Sequence, residues 1–364
     1  MLVADVAVNT PERAWLSVYT SRCRGGDGRT LERFLPTERT TFYGYGRQAL
    51  AAALAQVGVG AGDRVLLPGF ICRDVLASLT AVGAAPAFYA VDEQLHADLA
   101  SVGRQAHAGV RAVVAVNYFG FPQPLDQLRA WCRVRGAALI EDNAHGFLSA
   151  DGSAPLGHRG DLGVFSLRKT LSLPNGAALV DNRSGSARPV APENGQGSSG
   201  AAERHYRMKA ALKRAMGAGG LRGASAMLGG VRWLKRAIPN GARRRAVAGD
   251  PETTMPRDAF SPLAARLLRQ CDVEEERTRR RQLYRICHQL VGRSPGVLPL
   301  FGELPGEVVP YGFPFLFTGR DADAFVRRWR RQGVEIISWP DLPPAVQPHA
   351  PSHYRRVMLV SFLW

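Results

Sequence analysis

The sequence predicts an α/β fold, a mostly parallel sheet covered by helices, followed by a smaller α+β C-terminal domain. Three observations carry this expectation. Between Gly46 and Asp181, short apolar runs bounded by turn residues alternate with helical stretches, as in a sheet buried on both faces. A glycine- and arginine-rich stretch then interrupts the pattern. Beyond it a second, smaller set of helices and strands appears.

The elements follow in order. Gly46–Val57 is an alanine- and leucine-rich helix. Arg64–Leu67 is a short strand ending in Pro68-Gly69. The alternation continues with helix Arg73–Val82, strand Ala87–Val91 and helix Leu95–Gln105. Strand Ala112–Tyr118 comes next, then helix Leu125–Arg135 and strand Ala137–Ile140. Asp161–Leu167 and Ala177–Val180 are two further strands. In the second set, Ser261–Leu290 reads as one long helix with a charged middle. Val308–Phe317 reads as a strand, Asp321–Gln332 as a helix and Val334–Ser338 as a strand.

The domain boundaries expected from this pattern are a large α/β domain over residues 1–182, a basic linker or helical insertion over 183–250, and a small α+β domain over 251–364. The insertion begins as a Gly/Ser-rich linker and continues as two cationic helical stretches, Ala202–Met216 and Leu221–Ile238. Between Arg183 and Gly249 it holds fourteen Lys and Arg against Glu193 and Glu203, so most of the net charge of +16 is local to it.

Composition excludes several classes. No apolar run approaches membrane-spanning length, and the first twenty residues do not read as a signal peptide. The five cysteines, Cys23, Cys72, Cys132, Cys271 and Cys287, are odd in number and not closely paired. They suggest a reducing, cytoplasmic setting without a disulfide framework or a zinc site. No nucleic-acid-reading module accompanies the basic stretch.

Ligands of such sheets bind beyond the carboxyl ends of the strands. Two residues stand out there. Only four of the 47 cationic residues are lysines, and three of them, Lys209, Lys213 and Lys235, lie in the insertion. The fourth, Lys169, follows the strand Val164–Leu167. Arginine cannot form an imine, whereas a deprotonated lysine amine condenses with an aldehyde. The alternative is a surface lysine at the start of a loop. Asp142 ends the apolar run Ala138–Ile140, where an ionised carboxylate needs a cation. A protonated pyridine nitrogen is such a cation; a helix cap or a salt bridge is the alternative. Tyr43-Gly44-Tyr45-Gly46-Arg47-Gln48 enters a helix, whose N–H groups suit an anion such as a phosphate.

Taken together, these residues resemble the DegT/StrS-type sugar aminotransferases, a branch of the fold-type-I pyridoxal-phosphate enzymes. The matching stretches are GYGRQALAAALAQVGVGAGDRVLLPGF, APAFYAVDEQ, VVAVNYFGFP, ALIEDNAHGF, LGHRGDLGVFSLRKTL and NGAALV. The resemblance implies a homodimer that binds pyridoxal 5'-phosphate. It implies amino transfer from an amino acid, glutamate or glutamine, to a keto-sugar nucleotide or a related cyclitol. By motif, Lys169 is the Schiff-base lysine and Asp142 the partner of the ring nitrogen. His145 stands where the family usually has glutamine, near the phenolic oxygen. Gly46, Arg47 and Gln48 occupy the phosphate cradle, and Ser166 matches a phosphate-contacting serine. Three departures are visible. Arg47 replaces a usual threonine, Ser166 lies only three residues before Lys169, and Cys72 stands where an aromatic residue often stacks on the ring.

Two other readings stay open. One is a lyase or dehydratase of the same fold, since it needs the same imine. The other is a non-catalytic basic protein that meets a membrane or nucleic acid through residues 202–238. There Met227, Leu228, Val231, Leu234 and Ile238 recur at helical spacing beside Arg232, Lys235 and Arg236, which suggests weak contact with an anionic membrane surface.

Overall fold

The computed structural model describes residues 25–26, 29–105, 109–184, 200–218, 252, 254–332 and 334–362. A seven-stranded sheet forms its centre, in the order β1-β9-β8-β5-β4-β2-β3. Its strands are β1 (Thr40–Tyr43), β2 (Arg64–Pro68), β3 (Ala85–Tyr89), β4 (Val110–Val116), β5 (Ala138–Asp142), β8 (Leu162–Phe165) and β9 (Ala177–Asp181). The pairs β2–β3, β2–β4, β4–β5 and β5–β8 are parallel. β9 runs antiparallel to both β8 and β1, so the other six strands point one way.

Helices α1 (Gly46–Gln56), α2 (Leu76–Val82), α3 (Leu99–Arg104) and α4 (Asp126–Arg135) connect the strands. The crossovers cover both faces of the sheet, and Val65, Leu66, Val113, Val114 and Ile140 are wholly buried. Between β5 and β8 lies a two-stranded ribbon, β6 (Ala150–Asp151) with β7 (Ala154–Pro155).

Past β9, helix α6 (Gly200–Ala218) covers the first of the two cationic stretches. Its Glu203 accepts hydrogen bonds from Ser261 Oγ (2.5 Å) and Leu263 N (3.2 Å), and Tyr206 Oη meets Ser172 Oγ at 3.4 Å. The start of α6 is therefore fastened to the body of the protein. The second stretch, Leu221–Ile238, lies outside the described residues. Among those described, no helix is long and apolar enough to cross a membrane.

A four-stranded antiparallel sheet forms the C-terminal part, in the order β10-β11-β13-β12. It comprises β10 (Val297–Pro299), β11 (Gly312–Phe317), β12 (Ile336–Ser338) and β13 (Val357–Ser361), with α9 (Ala322–Arg331) and α10 (Ser352–Arg356). The small sheet therefore includes a strand, β13, that the sequence pattern did not suggest.

Several expectations need correction. The long helix expected over Ser261–Leu290 is two helices, α7 (Pro262–Arg269) and α8 (Val273–Leu290). Asp272 breaks it by accepting a hydrogen bond from Glu275 N and capping α8, whose first turn is rich in acids that suit the helix dipole. The strand expected from Val308 begins at Gly312. Pro310 has no N–H to give, Val309 N donates to Ser149 Oγ, and Tyr311 N donates to Phe119 O. The strand expected over Asp161–Leu167 ends at Phe165. Lys169 does not open a loop but sits in a one-turn helix, α5 (Leu167–Thr170), whose N-cap residue is Ser166.

Candidate active site

The carboxyl ends of β1, β2, β4, β5 and β8 lie along one edge of the large sheet, and the candidate residues gather there. Asp142 is the last residue of β5, and Lys169 lies four residues beyond β8. Cys72 follows the end of β2 by four residues, and Gly46 follows β1 by three.

Lys169 is half-buried as a residue. Its amine nevertheless lies deep enough that loss of water holds its pKa below the ordinary lysine value, against the opposing pull of Asp142. Lys169 Nζ lies 3.3 Å from His145 Nε2. The imidazole is buried, and burial, with the lysine charge adding to it, pushes its pKa well below the usual histidine value. A neutral ring whose Nε2 accepts from the amine carries its proton on Nδ1. That Nδ1 is buried and has no hydrogen-bond partner among the described residues.

The imidazole is sandwiched between two rings. Tyr311 stacks on it at 4.2 Å with an interplanar angle of 5°, and Phe119 at 5.6 Å and 13°. Trp339 closes the stack edge-on at 5.0 Å. Phe119 holds φ at +54°, a left-handed conformation that bulky residues rarely adopt. The small sheet supplies the other two rings, Tyr311 just before β11 and Trp339 just after β12.

Asp142 Oδ1 accepts from Ala144 N at 2.9 Å, the one hydrogen bond this carboxylate makes among the described residues. Burial raises its pKa above the usual carboxylate value; the Lys169 charge and the Ala144 N–H oppose the rise. The acid is thus desolvated and under-supplied with donors.

At the start of α1, a Cβ built on Gly46 would stand 3.7 Å from Ser166 Cβ, so the two residues face each other. The side chains of the next two residues are committed elsewhere. Arg47 Nη1 donates to Thr254 O (3.2 Å). Gln48 Nε2 donates to Pro256 O (2.9 Å) and Asp258 O (3.2 Å), while its Oε1 accepts from Tyr45 N. Gln48 N also donates to Tyr45 O at 3.0 Å, which leaves the backbone N–H groups of Gly46 and Arg47 to face an anion at this helix start. Arg168 lies over the Tyr45 ring at 5.5 Å, which adds a cation to the same corner. Cys72 is half-buried, and its thiol is among the groups acting on the Lys169 amine.

Sequence reasoning did not find Tyr311 or Trp339. Phe119 lay within a quoted motif, VVAVNYFGFP, but had no role assigned. Tyr311 and Trp339 reach the site only because the small sheet folds against the large one, which no local spacing announces.

The chain belongs to the DegT/DnrJ/EryC1/StrS aminotransferase family, whose model matches residues 29–247. It is 30% identical over 152 residues to a GDP-perosamine synthase of Vibrio cholerae, a match covering 41% of each chain. It is 34% identical over 138 residues to an L-glutamine:scyllo-inosose aminotransferase of Streptomyces griseus, covering 37% of this chain and 32% of that one. The chain thus spans less than half the length of these curated relatives. Its fold matches that of the aminotransferase TlmJ from Streptoalloteichus hindustanus, with a TM-score of 0.61 at 20% identity, over 96% of this chain and 90% of that one.

The residues present fit pyridoxal phosphate. Burial lowers the pKa of the amine, the acid has spare acceptor capacity, and a buried imidazole N–H lacks an acceptor among the described residues. These are the needs of an aldehyde carbon, a ring N–H⁺ and a phenolic oxygen, in that order.

Proposed function

We propose that the protein is a pyridoxal-phosphate-dependent aminotransferase that moves an amino group from glutamate or glutamine to a keto-sugar nucleotide or a related carbohydrate. The observation that carries the reading is the convergence of a half-buried amine, its histidine partner and a desolvated aspartate at one sheet edge, in a chain of this family. When bound, the cofactor supplies an aldehyde and a ring that draws electron density from the donor's α-carbon.

Lys169 Nζ would hold the cofactor and would move the proton at the donor's α-carbon. Asp142 keeps the ring nitrogen protonated by offering its free lone pairs. His145 donates from Nδ1 to the phenolic oxygen and keeps Nε2 for the amine. The N-terminal amides of α1 and the Ser166 hydroxyl would hold the phosphate, and Cys72 would stand near the ring. Tyr311, Phe119 and Trp339 exclude water from the imidazole. The names of the relatives, one acting on a GDP-sugar and one on an inosose, support a carbohydrate acceptor. The family resemblance supports a homodimer.

The test is direct. The purified protein with pyridoxal phosphate should absorb near the visible edge, and borohydride should abolish the band and leave its label on Lys169. Label on Lys209, Lys213 or Lys235 would overturn the anchor. A panel of keto-sugar nucleotides should be aminated with glutamate or glutamine. If only simple 2-oxo acids react, the carbohydrate reading fails.

A further inference from the structure

Arg280, on α8, is one of the largest fully buried side chains in the molecule. A guanidinium so placed is costly unless every N–H is used. Its Nε donates to Glu276 Oε1 at 2.7 Å. Nη1 reaches the carbonyls of Pro310 (3.3 Å) and Tyr311 (3.1 Å). Nη2 reaches the carbonyls of Lys169 (3.2 Å) and Thr170 (2.6 Å). The fork thus spans two pieces of main chain far apart in sequence. One carries the lysine, and the other carries the ring stacked on the lysine's imidazole partner.

Among the described residues, no other hydrogen bond joins these two pieces to each other. The lysine turn is a single turn of helix, too short to be rigid alone. The Pro310–Tyr311 segment precedes its strand, and its other restraints, the bonds of Val309 with Ser149, the bond from Tyr311 N to Phe119 O and the Tyr311 stack on His145, all lead away from the lysine turn's main chain. A slip of either would separate Lys169 Nζ from His145 Nε2.

We propose that Arg280 is a positioning residue for the Lys169 amine: its planar fork ties the main chain of the lysine turn to the main chain bearing Tyr311, and so keeps the amine against the stacked imidazole. Lysine at this position would keep the charge but lose the fork, because an ammonium cannot bridge two pairs of carbonyls with fixed planar geometry. Glu276 is the counter-ion, shared with Arg279 at 2.6 Å, and fixes the guanidinium from behind. This assignment rests on Lys169 being the cofactor anchor.

The experiment reads the amine directly, in the full chain freed of cofactor. Trace acylation across the neutral to alkaline range, with peptide mapping, yields the titration of each lysine, and Lys209 serves as the reference in the same sample. The groups that face the Lys169 amine are Asp142, His145, Cys72, Asp74, Arg168 and the Tyr311 ring. None of them is altered by the variants. In the wild type, Lys169 should titrate below Lys209. In Arg280→Lys, with native circular dichroism, the Lys169 midpoint should move toward that of Lys209 by about one pH unit, a tenfold change in free amine at a given pH. Glu276→Asp, which draws the counter-ion back by one methylene, should move it the same way by less. An unchanged Lys169 titration in folded Arg280→Lys overturns the proposal. Loss of the fold in both variants also overturns it, since Arg280 would then serve stability alone. Failure of the cofactor reading appears separately, as a wild-type protein that takes no borohydride label on Lys169.

Discussion

Two adjacent acids end β5, and they face opposite surroundings. Glu141 points to the side of the 157–160 loop, where it accepts from Asn117 Nδ2 (3.0 Å) and from the backbone N–H groups of Gly157 (3.2 Å), Arg159 (2.5 Å) and Gly160 (2.8 Å). Arg159 Nη2 adds an ion pair at 3.2 Å. Asp142, one residue on and on the other face, accepts from Ala144 N alone among the described residues. Both acids are buried, at 0% and 9% exposure, but one is saturated with donors and the other is left wanting. A saturated acid holds a loop in place; an acid left with spare lone pairs waits for a cation. The side of the sheet edge that lacks donors is the side where Lys169 and His145 also stand.

Substitutions can break this contrast, beginning with the largest effect. Lys169→Ala should abolish turnover and leave the unfolding curve close to wild type; measurable transamination by the variant would remove the amine from the chemistry. Asp142→Asn keeps the acceptor for Ala144 N but withdraws the charge. Single-turnover rates should fall by several powers of ten, about 1.4 kcal/mol for each, while urea unfolding of the cofactor-free protein shifts by no more than about 1 kcal/mol. Near-normal single-turnover rates would mean that the ring nitrogen is paired elsewhere. Glu141→Gln should behave in the opposite way. It withdraws the charge from the loop amides and from Arg159, which keeps its pair with Asp151, and sets an amide NH2 among the donors, so urea unfolding should show a loss of about 2–3 kcal/mol, with the titration of Lys169 unmoved. Similar stability losses for the Asp142 and Glu141 variants would erase the distinction between the two faces.

The smallest effect concerns pH. His145 has a folded pKa depressed by burial below its unfolded value of about 6.5. Below that value the unfolded chain binds a proton that the folded chain refuses, so stability falls as pH falls from the unfolded value toward the folded one. His145→Gln removes this term. The variant's stability should therefore decline less steeply than the wild type's as pH drops below about 6.5. Parallel curves from urea titrations at several pH values would show that the imidazole is not the group refusing the proton.

The sequence made Lys169 and Asp142 legible because both sit where apolar runs end, and strand ends are readable from local composition. Lysine scarcity sharpened the first. Gly46 and Ser166 were legible by motif, and the structure sets them face to face. The side chains of Arg47 and Gln48 were not legible, since their partners at 254–258 lie some two hundred residues away. The same holds for Arg280, Tyr311 and Trp339, which act through contacts that exist only after two sheets have met. The break before α8 was written locally: Asp272 stands three residues before Glu275, a capping pattern hidden inside a strongly charged helical run.

The bond from Glu203 to Ser261 and Leu263 carries one more consequence. It joins two points 58 and 60 residues apart in the chain, and so closes everything between them into an excursion pinned at its base. The entropy of closing such an excursion grows only with the logarithm of its length, about 0.6 kcal/mol for each doubling. The stretch rejoins the candidate site before it ends, where the carbonyls of Thr254, Pro256 and Asp258 receive Arg47 and Gln48. The closure cost therefore depends only weakly on how many residues lie between positions 218 and 252.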